Sequence, residues 1–219
     1  MGVSSMKKIW ALLWICCAVA GLPACGETTE DPAADQQETI SQSDSAPQAE
    51  KEAIEEENTS KALVVYFSAT NTTEGIAEKL AAGLEADLYE IVPQEAYTEA
   101  DLAYRDSNSR ATLEMNDPQA RPAISGTVEN MEQYDIIFLG YPIWWGDAPR
   151  IIDTFLESYD FSGKTVIPFC TSGSSGIDAS VENLKTLATD TTWLDGQRFA
   201  GNATQEAVME WVHSLDLNL

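Results

Sequence analysis

Three short loops of this 219-residue sequence carry the groups that could do chemistry. The first, Ser68-Ala69-Thr70-Asn71-Thr72-Thr73, packs four hydroxyls and one amide into six residues without a Lys or Arg. Backbone N–H groups at a helix start, together with such hydroxyls, can hold a phosphate dianion without a cationic side chain. A Walker-type loop needs a lysine here and a dinucleotide fold needs its glycines; neither is present. The second loop, Gly140-Tyr141-Pro142-Ile143-Trp144-Trp145-Gly146-Asp147, sets two indoles side by side between Gly and Pro. Consecutive side chains project differently, so both cannot face one core, and an exposed indole is a stacking platform for a flat aromatic ligand. The third, Thr171-Ser172-Gly173-Ser174-Ser175-Gly176, is small and polar, which lets backbone approach a ligand closely. Each loop alone has a plainer reading: an ordinary N-cap, tryptophans covering a sheet edge, and a generic Ser/Gly turn.

The elements between these loops say why they belong together. Ala62 to Phe67 (ALVVYF) reads as a strand, and Thr72 to Leu84 as a helix with Ile76, Leu80 and Leu84 on one face. Leu88 to Val92, Asp135 to Gly140 and Lys164 to Cys170 read as further strands, with a weaker one around Arg198 to Gly201. Helices are expected over Pro149 to Ser158, around Val181, Leu184 and Leu187, and at the end of the chain. There Asn202 is the expected N-cap, and Val208, Trp211, Val212 and Leu215 face inward. Apolar strands alternating with helices predict an α/β fold: a doubly wound, five-stranded parallel sheet in a three-layer α/β/α sandwich. In such sheets ligands bind beyond the carboxyl ends of the strands, where the three loops fall.

A phosphate cradle, an aromatic platform and a small polar loop at three strand ends describe a site for a phosphorylated flat heterocycle. With SxTxxT, YPIWWG and TSGxSG in that order, residues 61–219 resemble the flavodoxin-like FMN proteins. Asn71 stands where that pattern usually has Gly, and Asn is among the residues that best tolerate positive φ. The resemblance implies FMN as cofactor, its phosphate bound by Ser68, Thr70, Asn71, Thr72 and Thr73. It implies an isoalloxazine flanked by Pro142, Ile143, Trp144, Trp145 and Gly146, with Thr171, Ser172, Gly173 and Gly176 closing the other side. The flavin then does the redox chemistry and no catalytic side chain or metal is required. His213, the one histidine, is expected in solvent, and Cys170 as a small buried hydrophobe.

Charge narrows the partners. With 36 acidic and 12 basic residues the formal net charge is −24, which excludes a nucleic-acid role, since phosphate neutralisation needs a basic face. Residues 61–219 carry 25 acidic against nine basic residues, a bias toward a low flavin reduction potential. One charge about 12 Å away is worth only ~0.3 kcal/mol in water, so only near neighbours matter, and Asp147 is the first candidate.

Residues 1–25 read as a lipoprotein signal peptide. Lys7 and Lys8 precede the uncharged run Ile9 to Ala20, about 18 Å of helix, too short for a bilayer core of roughly 30 Å. The run leads to Leu22-Pro23-Ala24-Cys25, which resembles a bacterial lipobox, so Cys25 is the expected lipidation site. Cys16 and Cys17 would leave with the signal, and Cys170 alone would remain in the mature domain, without an intrachain disulfide. Residues 26–60 hold eleven acidic residues against Lys51 and read as an acidic disordered tether, roughly 30 to 35 Å long as a flexible coil and extended further by self-repulsion. The expected location is a cell membrane, lipid-anchored, on its extracytoplasmic face.

Between the second and third strands lie 42 residues, Pro93 to Tyr134, with Arg105, Arg110 and Arg121 and a short helix expected around Ser107 to Glu114. This segment either covers the flavin as a partner surface or simply pairs its arginines with nearby carboxylates. The function expected is a membrane-tethered electron-transfer flavoprotein with a redox partner the sequence does not identify, either a one-electron carrier or a quinone-type reductase. The alternative is a non-redox lipoprotein that uses the same scaffold for binding.

Overall fold

The structure is a computed structural model and describes residues 60–217. The signal segment, Cys25 and the acidic linker up to residue 59 lie outside the described residues. Among those described, no helix is long and apolar enough to cross a membrane.

Strand β1 (Ala62–Tyr66) is buried along its whole length and has neighbours on both sides. On one side it pairs in parallel with β2 (Asp87–Glu90), on the other with β5 (Ile136–Pro142). β5 in turn pairs with β6 (Thr165–Thr171). The last position is shared by two short strands, β7 (Thr192–Trp193) against the start of β6 and β8 (Gln197–Phe199) against its end. The order is therefore β2-β1-β5-β6-β7 with β8 also on β6, all parallel, as the strand–helix alternation predicts.

Side-chain alternation along these strands builds two cores. Leu63, Val65, Ile137, Leu139 and Val166 point to one face, where helices α3 (Arg150–Glu157) and α4 (Asp178–Lys185) cover them with Ile151, Ile152, Phe155, Val181 and Leu184. Val64, Tyr66, Phe138, Ile167 and Phe169 point to the other. There α1 (Thr72–Leu84) and α5 (Gln205–Ser214) supply Ile76, Leu80, Val208 and Val212. Burial on both faces explains why the strands read as unbroken apolar runs. Gly140 lets β5 pass close to the Phe169 ring: a Cβ there would come within 2.2 Å of it.

Several boundaries differ from expectation for physical reasons. The second strand ends at Glu90, and Val92 leaves the sheet to form β3 (Val92–Pro93) with β4 (Ile124–Ser125), an antiparallel ribbon at the root of the 93–134 segment. The short helix α2 (Arg110–Asn116) starts later than expected, because Ser109 accepts the Thr112 N–H as its cap. The last helix is capped by Thr204, whose hydroxyl accepts from Ala207 N–H; Asn202 lies two residues upstream, outside capping range. His213 is exposed and Cys170 is buried.

Candidate functional site

Strand register brings the three loops to one edge of the sheet. The Phe67 N–H donates to Gly140 O at 2.9 Å and the Ile143 N–H to Thr171 O at 3.0 Å, so each loop departs from a strand end tied to the next. Thr73 and Thr171, 98 residues apart in sequence, join their buried hydroxyls at 2.8 Å and lock the first loop to the third.

In the first loop Asn71 adopts φ 59° and ψ 9°, the left-handed conformation its residue type tolerates. It caps α1 without a side-chain hydrogen bond, which leaves the first-turn amides of a 13-residue helix without their usual side-chain acceptor. The Thr70 and Thr72 hydroxyls are exposed and meet only through a 3.3 Å contact, with Thr72 also donating to Thr70 O at 3.4 Å. These are long bonds that keep most of the donor capacity free.

The second loop is a tight hairpin. Trp144 and Asp147 exchange two backbone hydrogen bonds, 2.9 and 3.0 Å, around Trp145 and Gly146, both at positive φ (48° and 85°). Positive φ at both central residues is what a type I′ turn requires, and for a bulky residue such as Trp145 it costs on the order of 1 kcal/mol. The turn sends the two indoles apart. Trp144 is wedged edge-on between Phe67 and Tyr97, with centroids at 5.5 and 5.3 Å, whereas Trp145 is 47% exposed.

A cleft of about 430 Å³ opens between these loops. Ser68, Ala69 and Thr70 line one part; Pro142, Ile143, Trp144 and Trp145 line another; Leu102, Tyr104 and Ala111 of the 93–134 segment complete it. Asn71, Thr72, Gly146, Ser172, Gly173 and Gly176 do not line the cleft, and neither do Thr73 and Thr171, which are buried. A Cβ on Gly173 or Gly176 would meet nothing within 4 Å, so that loop has open space around it. Sequence reasoning did not name Leu102, Tyr104 or Ala111. The available signal was the length of the segment that carries them.

Charge after the tryptophan hairpin and along α3 is internally compensated. Asp147 accepts from the Ala148 N–H (2.8 Å), Arg150 (3.2 Å) and Asn183 (3.0 Å), so its carboxylate is engaged at the start of α3 and offset by a guanidinium. Arg150 also approaches Asp153 at 3.5 Å, and Arg121 reaches Asp153 at 3.6 Å and Glu157 at 2.7 Å. Burial dominates at Asp153 and pushes its carboxyl up to about 6 despite the two cations. The Nε of Arg150 is buried without a partner. Arg110 pairs with Glu114 at 2.7 Å. Two of the three arginines of the 93–134 segment are thus ion-paired, and Arg105 lies over the Tyr104 ring at 5.4 Å. Burial pushes the Cys170 thiol up to about 12, which removes it as a nucleophile. Chemically, the cleft offers neutral donors for an anion at one end and aromatic surface for a planar ring at the other.

Comparison with known proteins agrees with this geometry. The flavodoxin family model matches residues 61–215, and the chain belongs to the flavodoxin family. Among solved structures, a provisionally named flavoprotein from Bacteroides eggerthii DSM 20697 is 47% identical, with a TM-score of 0.69 over 72% of this chain and 99% of that one. A second, from Bacteroides uniformis ATCC 8492, is 45% identical, with a TM-score of 0.68 over 71% of this chain and 99% of its own. A flavoprotein from Lactobacillus acidophilus NCFM, solved in complex with FMN, is 25% identical, with a TM-score of 0.55 over 70% of this chain and 99% of that chain.

Proposed function

We propose that residues 61–219 bind FMN in this cleft and serve electron transfer. The observation that carries the reading is that one cleft joins uncommitted hydroxyls at a helix start to an exposed indole held in a strained turn. The residues fit the cofactor. Ser68, Thr70 and Thr72, with the amides that follow Asn71, would hold the phosphate, and Trp145 with Pro142 and Ile143 would flank the ring. Thr171, Ser172, Gly173 and Gly176 would approach the ring edge with backbone. Bound there, FMN supplies one- or two-electron redox chemistry. The chain's own part is to bind, orient and exclude water. The FMN complex of the Lactobacillus acidophilus relative supports the choice of ligand.

The same proposal places the domain on the extracytoplasmic face of a cell membrane, tethered through a lipidated Cys25 and the acidic linker, with a redox partner for the flavin. Support comes from the charge pattern and lipobox of residues 1–25.

Two experiments test it. The purified protein, stripped and titrated with FMN, should bind one equivalent and turn yellow; a chain that takes up no FMN supports the non-redox lipoprotein reading. Potentiometric titration then separates a carrier, with two one-electron waves, from a reductase, with one two-electron wave. In a bacterial host, Cys25→Ser should abolish palmitate labelling and release the protein from membranes; unchanged labelling and fractionation would reject the anchor.

A further inference from the structure

We infer that the 93–134 segment supplies the second wall of the flavin cleft, with Tyr104 as the ring that stacks against the face of the isoalloxazine opposite Trp145. This deepens the FMN reading above and rests on it. Tyr104 is 66% exposed and Trp145 47% exposed; they are the two aromatic rings among the exposed large apolar side chains of the described residues. Both line the same cleft, from chain segments about 40 residues apart. Exposed aromatic surface is unfavourable in water, and two such rings on one cleft lose that cost together when a planar ligand enters between them. The loop after β6, Thr171 to Gly176, contains no side chain able to stack, so it can approach a ring only with backbone and hydroxyls. Among the residues lining the cleft, Tyr104 is the other exposed aromatic ring, and it comes from a segment separate from the tryptophan hairpin.

The base of the segment is built to hold such a wall. Tyr97 packs edge-on against both Phe67 (5.8 Å) and Trp144 (5.3 Å) and donates its hydroxyl to Glu114. The Arg110 guanidinium lies over the Tyr97 ring at 4.1 Å, bonds Glu114 at 2.7 Å and donates to Glu95 O at 2.8 Å. This clasp fastens the segment to Trp144, itself part of the cleft lining, while Tyr104 and its neighbour Arg105 stay out of it. The clasp is the positioning device and Tyr104 is the contact.

The test uses the full chain, with FMN binding followed by quenching of flavin fluorescence and thermal unfolding followed without flavin. Tyr104→Ala should weaken FMN binding about tenfold, the order expected for losing one stacked ring, and leave the bound flavin brighter than in the parent. Tyr104→Phe should keep parental affinity and quenching. The flavin-free melting temperature should not change for either, because the side chain is largely in solvent. Tyr104→Ala with parental affinity and full quenching would overturn the inference while leaving FMN binding intact. A parent protein that binds no FMN would instead overturn the underlying functional reading.

Discussion

The loop after β1 and the belt of charges along α3 are both polar features of a strongly acidic protein, and they use their polar groups in opposite ways. In the belt, Arg121 and Arg150 are each matched to carboxylates, and Asp147 meets three donors. In the loop, Thr70 and Thr72 touch each other at long range and the helix start has no side-chain cap. The belt commits its polar groups to one another; the loop keeps its hydrogen-bonding capacity for something not made of protein. Uncommitted donors on a rigid element mark a site more clearly than the mere presence of polar residues.

Breaking the belt should give the largest effect. Arg150→Met leaves the buried Asp153 with Arg121 alone, 3.6 Å away, and takes from Asp147 its cation; urea unfolding at pH 7 should show a loss of about 2 kcal/mol, limited because a carboxyl already raised by burial can take up a proton. Breaking the loop should leave stability alone and change binding. Thr70→Val should weaken FMN about tenfold through one lost charge-assisted hydrogen bond, with riboflavin affinity and the flavin-free melting temperature unchanged. A parallel loss for riboflavin would place Thr70 at the ring rather than the phosphate. A drop in melting temperature would place the loop with the belt.

The pH dependence of the belt sharpens the contrast further. The Asp153 carboxyl is raised from 3.8 to about 6 by burial, so the folded state holds this proton more tightly than the unfolded state does. Its contribution to stability is therefore complete below about pH 4 and is lost as pH rises through about 6. Relative to the parent, Asp153→Asn should gain on the order of 1 kcal/mol between pH 4 and 7. A difference between the two that is flat across that range would mean that Arg121 and Arg150 fully offset the burial. The smallest effect is expected at Asp147. As an unpaired neighbour of the tryptophan hairpin its charge should depress the flavin potential, but Arg150 at 3.2 Å offsets it. Asp147→Asn should therefore move the midpoint by only about 10 mV in redox titration. A much larger rise would show the carboxylate acting as a free charge.

Much of the fold was legible in residue order. Unbroken apolar runs such as ALVVYF, spaced by helical periodicity, specify a sheet buried on both faces, and the loop chemistry then falls at the strand ends. Asn71 shows how far local reasoning reaches, because its tolerance of positive φ is a property of the residue itself and the structure uses it. The two tryptophans show where it stops. That they diverge follows from their adjacency; which one turns outward depends on Phe67 and Tyr97 closing on Trp144 from distant parts of the chain.

The sequence by itself determined the class of fold, the order of its strands and helices, and the three loops that meet at one edge, because burial periodicity and backbone preference are local properties. Only the tertiary structure decided that Leu102, Tyr104 and Ala111 line the cleft, that Asp147 is paired, and that the buried hydroxyls of Thr73 and Thr171 join the first loop to the third. Those contacts come from side chains far apart in the chain, and composition and spacing do not encode which partner a ring or a carboxylate meets once the layers pack.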